Sequence, residues 1–164
     1  MQIKTERFGE VNYNDSDVLI FPRGIPAFED KTKWILVGSD DNAIKWLQSV
    51  DDGELALPVT SPDAIQSDYN ARIPDDEIAL ISDNKSCNPA DLALLIVVSI
   101  PENAPWNMTA NLRAPILINL KTHKAVQVIA LNEEYPIRHI VFPEDVRNKM
   151  KKSAEDNAVK EAQN

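Results

Sequence analysis

Apolar residues are densest between Leu92 and Leu131, and turn signals divide that stretch into strands. Leu92–Ile100 is apolar at both alternating sets of positions, the pattern of a strand covered on both faces. Pro101 closes it, and the run is too short to span a bilayer. Thr109–Leu120 alternates instead. Ala110, Leu112, Ala114, Ile116, Ile118 and Leu120 fall on one side, and Thr109, Asn111, Arg113 and Asn119 on the other, with Pro115 and Leu117 among them. Lys121–Lys124 reads as a polar turn, after which Val126, Val128 and Ala130 form the apolar face of a returning strand. The rest of the chain has to pack around this meander.

Residues 2–21 hold short strand patterns broken by Gly9 and by the polar cluster Asn14–Asp17. The next stretch, Phe21–Glu29 (FPRGIPAFE), predicts a stiff loop. Pro22 presets a turn, Gly24 suits the last position of a type I turn, and Pro26 restricts the chain further. Ile25 and Phe28 are thereby held on a rigid loop. They either plug one end of the core, which the burial habit of large apolar residues favours, or present a preformed apolar surface to a partner. Trp34–Val37 and Ile44–Val50 are strands, the second with Ile44, Trp46, Gln48 and Val50 on one face. Gln48 is the odd member, either a buried amide with partners or a contact residue at the core's edge. Asp51–Gly53 is a turn. Leu55–Thr60 is another strand, which Pro58 assigns to an edge or a bulge.

Asp75–Ile81 has room for one or two helical turns after Pro74. Beyond Pro143, Glu144–Lys160 places acidic residues first and basic ones later, as in a helix complementing its dipole. Its apolar stripe (Val146, Met150, Ala154, Ala158) is thin, so the helix needs docking to be stable. The fold class predicted is mainly β: a small antiparallel β-barrel-like domain with short helical turns and a C-terminal helix. The division predicted is a β domain over residues 1–143 and a helical tail over 144–164.

Length and charge narrow the picture. A chain of 164 residues suggests one domain that buries roughly 70% of its unfolded surface without disulfides. Its single cysteine, Cys87, cannot pair internally and sits in a polar loop, where a reduced thiol is expected. The N-terminus has no apolar run after a basic start, which predicts a cytoplasmic protein; the sequons at Asn14, Asn84 and Asn107 are then chance matches. The net charge of −9 argues against nucleic-acid binding. From Glu144 onward five acidic residues balance five basic ones, so the whole −9 sits on residues 1–143. Such a body steers basic partners as well as keeping the protein soluble.

Catalytic signatures are missing. Four glycines form no phosphate-binding loop, and His123, His139 and Cys87 do not make a metal cluster. Asp51 and Asp52 read as turn chemistry, and Ser49 near them has no placed histidine to complete a triad. No cofactor, metal or catalytic residue is assigned. A small β-scaffold hydrolase remains the alternative reading.

Four segments together resemble the flagellar assembly factor FliW family: Phe21–Glu29, Trp46–Asp52 (WLQSVDD), Met108–Asn119 (MTANLRAPILIN) and Tyr135–His139 (YPIRH). They occur in the family's order over roughly residues 1–143. Ala27 departs from the pattern, because the family usually has glycine there; a positive φ would strain alanine. The tail after Pro143 matches no family pattern. The resemblance implies a small β-barrel-like, non-enzymatic bacterial protein. It would bind newly made flagellin in the cytoplasm and also the RNA-binding translational repressor CsrA, relieving repression of flagellin synthesis. Neither direct nucleic-acid binding nor a membrane is implied. Ile25, Phe28, Gln48, Asn111, Arg113 and Arg138, which stand out in the family-like segments, are the candidate partner-binding residues.

Overall fold

In a computed structural model that describes residues 1–162, eleven strands and two α-helices form around one closed sheet. β1 (Gln2–Thr5) and β2 (Gly9–Asn12) make a separate antiparallel hairpin. The ring consists of β3 (Leu19–Ile20), β4 (Lys33–Val37), β5 (Ile44–Ser49), β6 (Ala56–Thr60), β7 (Leu92–Ser99), β9 (Ile116–Asn119) and β10 (Lys124–Gln127). Consecutive strands β3 to β7 pair antiparallel. β9 then pairs with β7 from Leu92↔Asn119 to Leu95↔Ile116 and with β10 through the predicted polar turn. β10 returns to β3, so the sheet closes and leaves no long free edge inside the ring. That closure is the one parallel pairing, Lys124↔Ile20, with the Ile20 N–H donating to the His123 carbonyl at 2.8 Å. β8 (Thr109–Ala110) and β11 (His139–Ile140) extend the sheet beyond the upper part of β7.

The expected barrel is thus present, and β7 is covered on both faces as its unbroken apolar run requires. Inside the ring, Phe21, Ile25, Trp34, Leu47, Val59, Ile116, Ile118 and Ala125 form the core. Outside it, Ile96, Val98, Met108, Ala110 and Leu112 pack with Tyr69, Tyr135, Val141 and Phe142. A third cluster joins Ile81, Leu117, Val126 and Val128 to Ile78 and Leu80 of helix α1 (Asp75–Ile81), which begins directly after Pro74 as the sequence predicts.

Two expectations change. Thr109–Leu120 is not one strand. Ala110 and Leu112 are buried as the alternation requires, but Pro115–Asn119 is buried at every position, the ladder stops after Ala110, and Leu120 is exposed. Asn111 Oδ1 accepts the Ala114 N–H at 2.9 Å, closing a local turn that competes with the ladder, and Pro115 offers no N–H to resume it. Pro58 also does not mark an edge, because β6 lies between β5 and β7. It is tolerated there because the β6–β7 ladder spans only Val59 and Thr60, so Pro58 faces no β7 partner.

The C-terminal helix α2 (Glu144–Ala162) is formed. Val146, Arg147 and Met150 are half-buried, and the helix leans on the short turn Pro105–Asn107. From Lys151 to Glu161 every residue is exposed.

Candidate partner-binding surface

The Phe21–Glu29 loop is two fused turns. The Gly24 N–H donates to the Phe21 carbonyl at 2.9 Å, and the Phe28 N–H to the Ile25 carbonyl at 2.6 Å. Gly24 has φ +65, and a Cβ there would fall 2.5 Å from the backbone of Glu29, so only glycine fits. The second turn has Pro26 followed by Ala27 at φ +79, the backbone of a type II turn whose third position favours glycine. Ile25 is buried in the barrel interior and Phe28 packs half-buried against it. The loop is a plug. Ile25 is therefore corrected from a surface contact to a core residue, because the ring encloses its side chain.

Gln48 is also corrected to a buried residue: it is 0% exposed, on the face of β5 opposite the core residue Leu47 and beneath the β5–β6 turn. The two N–H groups of its Nε2 are shared among the carbonyls of Ser49 (3.0 Å), Asp52 (3.2 Å) and Leu55 (3.0 Å), which ties the β5–β6 turn to the strand beneath it. Ser49 Oγ accepts the N–H groups of Asp51 and Asp52, the ordinary turn chemistry expected of this segment. The hairpin β1–β2 covers the outer face of β5, with the Arg7 guanidinium 3.7 Å from the centre of the Trp46 ring.

Asn111 and Arg138 are brought together. Both line a groove of about 410 Å³ beside the ends of β7 and β8, with Ser99, Asn107, Thr109 and Ile137. Arg138 is exposed and forms no ion pair with the described residues. Ile137 (64% exposed) and Ile140 (52%) flank it. Arg113 is not in that groove. Its Nε donates to the Ala130 carbonyl at 2.9 Å and its Nη1 to the Glu133 carbonyl at 3.4 Å, so it braces the segment after β10.

That segment and the stretch it packs against carry residues that no local pattern singles out. Asn132 is buried. Its Oδ1 accepts the Arg72 N–H at 2.7 Å and its Nδ2 donates to the Asn70 carbonyl at 3.1 Å, crossing two irregular stretches far apart in the chain. Tyr69 and Tyr135 stack with ring centres 4.9 Å apart, and the Tyr69 hydroxyl donates to the Leu112 carbonyl at 2.8 Å. Burial, aided by the neighbouring Tyr135 hydroxyl, pushes the Tyr69 phenol up to about 12. The Glu134 carboxyl is held below its ordinary value, first by its own backbone N–H and then by the Asn132 amide, Arg72 and Arg113, while desolvation acts against them.

A second groove, of about 460 Å³, lies between the plug loop and the start of α1 over β10. Arg23 and Glu77 form an ion pair across it. Among the described residues, no three His, Cys, Asp or Glu side chains converge to hold a metal ion, and no helix is long and apolar enough to cross a membrane.

A sequence model of the FliW protein family matches residues 2–141. The chain belongs to the FliW family. A flagellar assembly factor FliW from Syntrophus aciditrophicus is 41% identical over 143 residues, which is 87% of this chain and 88% of the relative. The FliW of Caldanaerobacter subterraneus is 37% identical over 88% of this chain and 95% of its own length. A crystal structure of the flagellar assembly factor FliW superposes with a TM-score of 0.79 at 28% identity, covering 88% of this chain and 99% of that one. The family match ends at residue 141, just before α2 begins at Glu144. The barrel, its plug and the Asn111–Arg138 groove all lie within the FliW region.

Proposed function

We propose that this FliW-family chain works in the cytoplasm as a non-enzymatic flagellar assembly factor. It binds newly made flagellin and, separately, the translational repressor CsrA, and so couples flagellin synthesis to the pool of free flagellin. Membership of a family whose relatives are named flagellar assembly factors carries this reading. The charge distribution supports the second partner, since an RNA-binding repressor must carry basic surface and this chain holds its −9 on residues 1–143. The groove lined by Asn111 and Arg138 and flanked by exposed Ile137 and Ile140 suits flagellin, combining apolar contact with polar orientation.

Titrating purified flagellin into a preformed complex with CsrA, while following the size of the complex, tests the reading. Release of CsrA is the outcome expected of partners that disfavour one another, and each must then weaken the other by the same factor. A stable ternary complex at saturating flagellin, with the CsrA affinity unchanged, replaces exchange with two independent activities. Arg138→Ala should weaken flagellin binding about tenfold with thermal unfolding nearly unchanged. Asn111→Ala is the less clean variant, because Asn111 also closes the turn at Ala114.

A further inference from the structure

We propose that the N-terminal hairpin β1–β2 is a strap that opens from the barrel as a local unit, uncovering Trp46 on the outer face of β5 while the ring stays folded. The hairpin satisfies itself. Its strands pair from Gln2↔Asn12 to Thr5↔Gly9, and the Tyr13 N–H donates to the Met1 carbonyl at 2.9 Å. At its tip, Thr5 Oγ1 donates to the Gly9 carbonyl at 2.8 Å and accepts the Phe8 N–H at 2.9 Å. Its ties to the barrel are few. Among the described residues, a single hydrogen bond joins residues 1–18 to the rest of the chain, from the Glu6 N–H to the Gly53 carbonyl at 3.0 Å, and no ion pair does. No residue of that segment belongs to any of the three core clusters. The clasp is Trp46. Phe8 meets it edge-on with ring centres 6.3 Å apart, and the Arg7 guanidinium lies over its face.

The contact is also poorly filled. Glu6 and Arg7 at the tip face Gln48, Glu54 and Ala56 across a groove of about 350 Å³. At the other end, Tyr13 and Val18 face Lys33, Val50 and His123 across one of about 550 Å³. Space on both sides of the clasp removes the packing partners that would weld the hairpin to the barrel. A two-stranded hairpin is marginal by itself, so its closed position depends on these few ties, and opening it disturbs no core residue. Gly53 sets how close the strap can lie. A Cβ on Gly53 would fall 2.1 Å from the Lys4 carbonyl oxygen, so with alanine there either the strap or the β5–β6 turn must move. The turn is pinned from beneath by the Gln48 amide and by Ser49 Oγ, which accepts the Asp51 and Asp52 N–H groups. The strap is the part that yields.

Residue-resolved amide exchange by NMR on the full chain tests this, in wild type, Arg7→Ala and Gly53→Ala. In wild type the amides of residues 2–12 should exchange at least about a hundredfold faster than those of β5 to β7. Arg7→Ala should speed the hairpin amides about threefold further by removing half of the clasp. Gly53→Ala should strip the hairpin of protection while the ring amides stay protected and the melt stays cooperative. Acrylamide should quench the tryptophan fluorescence of Gly53→Ala more than that of wild type, and adding Trp46→Phe should abolish the difference. Hairpin amides as protected as the ring in wild type would mean that the hairpin opens only on global unfolding, which overturns the proposal. So would a hairpin that keeps its wild-type protection in both variants, or quenching that Gly53→Ala leaves unchanged. Should Gly53→Ala fail to fold, exchange in wild type and Arg7→Ala decides by itself.

Discussion

The Phe28 N–H donates to the Ile25 carbonyl at 2.6 Å across Pro26 and Ala27, and Ala27 takes φ +79 to let it do so. Alanine in the left-handed region costs roughly 1–2 kcal/mol. Glycine would remove that strain but add unfolded-state entropy worth roughly 0.4–1 kcal/mol. Ala27→Gly should therefore stabilise the protein by up to about 1 kcal/mol, a rise of about 2–4 °C in Tm. Ala27→Val should lower the Tm, because a β-branched residue tolerates this backbone less well. Paired thermal melts measure both, and a glycine variant that melts lower would show that the turn is not strained.

The two N–H groups of the Gln48 amide are shared among three carbonyls, and its Oε1 is buried without a partner among the described residues. Gln48→Glu keeps the shape and removes those donors, so an acceptor-only carboxylate would face three carbonyl oxygens. The expected loss is about 3–5 kcal/mol at neutral pH. Burial and the carbonyls raise the introduced carboxyl's folded pKa above its unfolded value. The variant should thus be least impaired below the unfolded pKa and lose stability as pH rises through the folded one. Urea melts at several pH values check the sign, and a loss independent of pH would mean that the side chain leaves its site.

Tyr69 should make the protein sensitive to alkali. Its phenol is raised to about 12 in the folded state, against about 10 for the free side chain. The folded chain keeps a proton that the unfolded chain releases, so stability is fully present below pH 10 and is lost as pH rises through about 12. Tyr69→Phe should flatten that slope while costing about 1 kcal/mol at neutral pH for the bond to the Leu112 carbonyl. Spectroscopic titration of tyrosinate in the folded protein should show one of its three tyrosines ionising late.

The elements that were legible in the chain are those in which local preference and tertiary packing agree. The two-sided apolar run of β7, the plug loop's proline and glycine spacing, the start of α1 after Pro74 and the charge order of α2 are of this kind. The break at Asn111–Pro115 was hidden because Leu112 continues the alternation while its backbone turns. The central position of β6 was hidden because Pro58 signals an edge, and only the short reach of β7 makes it harmless. Of the polar residues around the grooves, Asn111 and Arg138 were legible, and both line one groove. Asn132 and Tyr69 were not, because each is defined by a partner more than forty residues away, and no local pattern reports that.

The tail should be separable from the barrel. None of the three core clusters contains a residue of α2, and Val141 and Phe142, which do pack against the second cluster, precede it. Deleting residues after Met150 removes only exposed side chains among those described, so the Tm should stay within about a degree, as for surface changes of under 0.5 kcal/mol. Deleting everything after Pro143 uncovers the turn Pro105–Asn107 and removes half-buried Val146 and Met150. That truncation should cost roughly 1–3 kcal/mol, the scale of losing partial burial of two apolar side chains, yet leave a cooperative melt. The buried Nε of Arg147 has no hydrogen-bond partner among the described residues, so the docked turn of α2 carries a penalty that offsets part of its packing. A 1–143 fragment that is insoluble or melts without cooperativity would place Val146 and Met150 inside the fold's essential core and make the helix part of the domain.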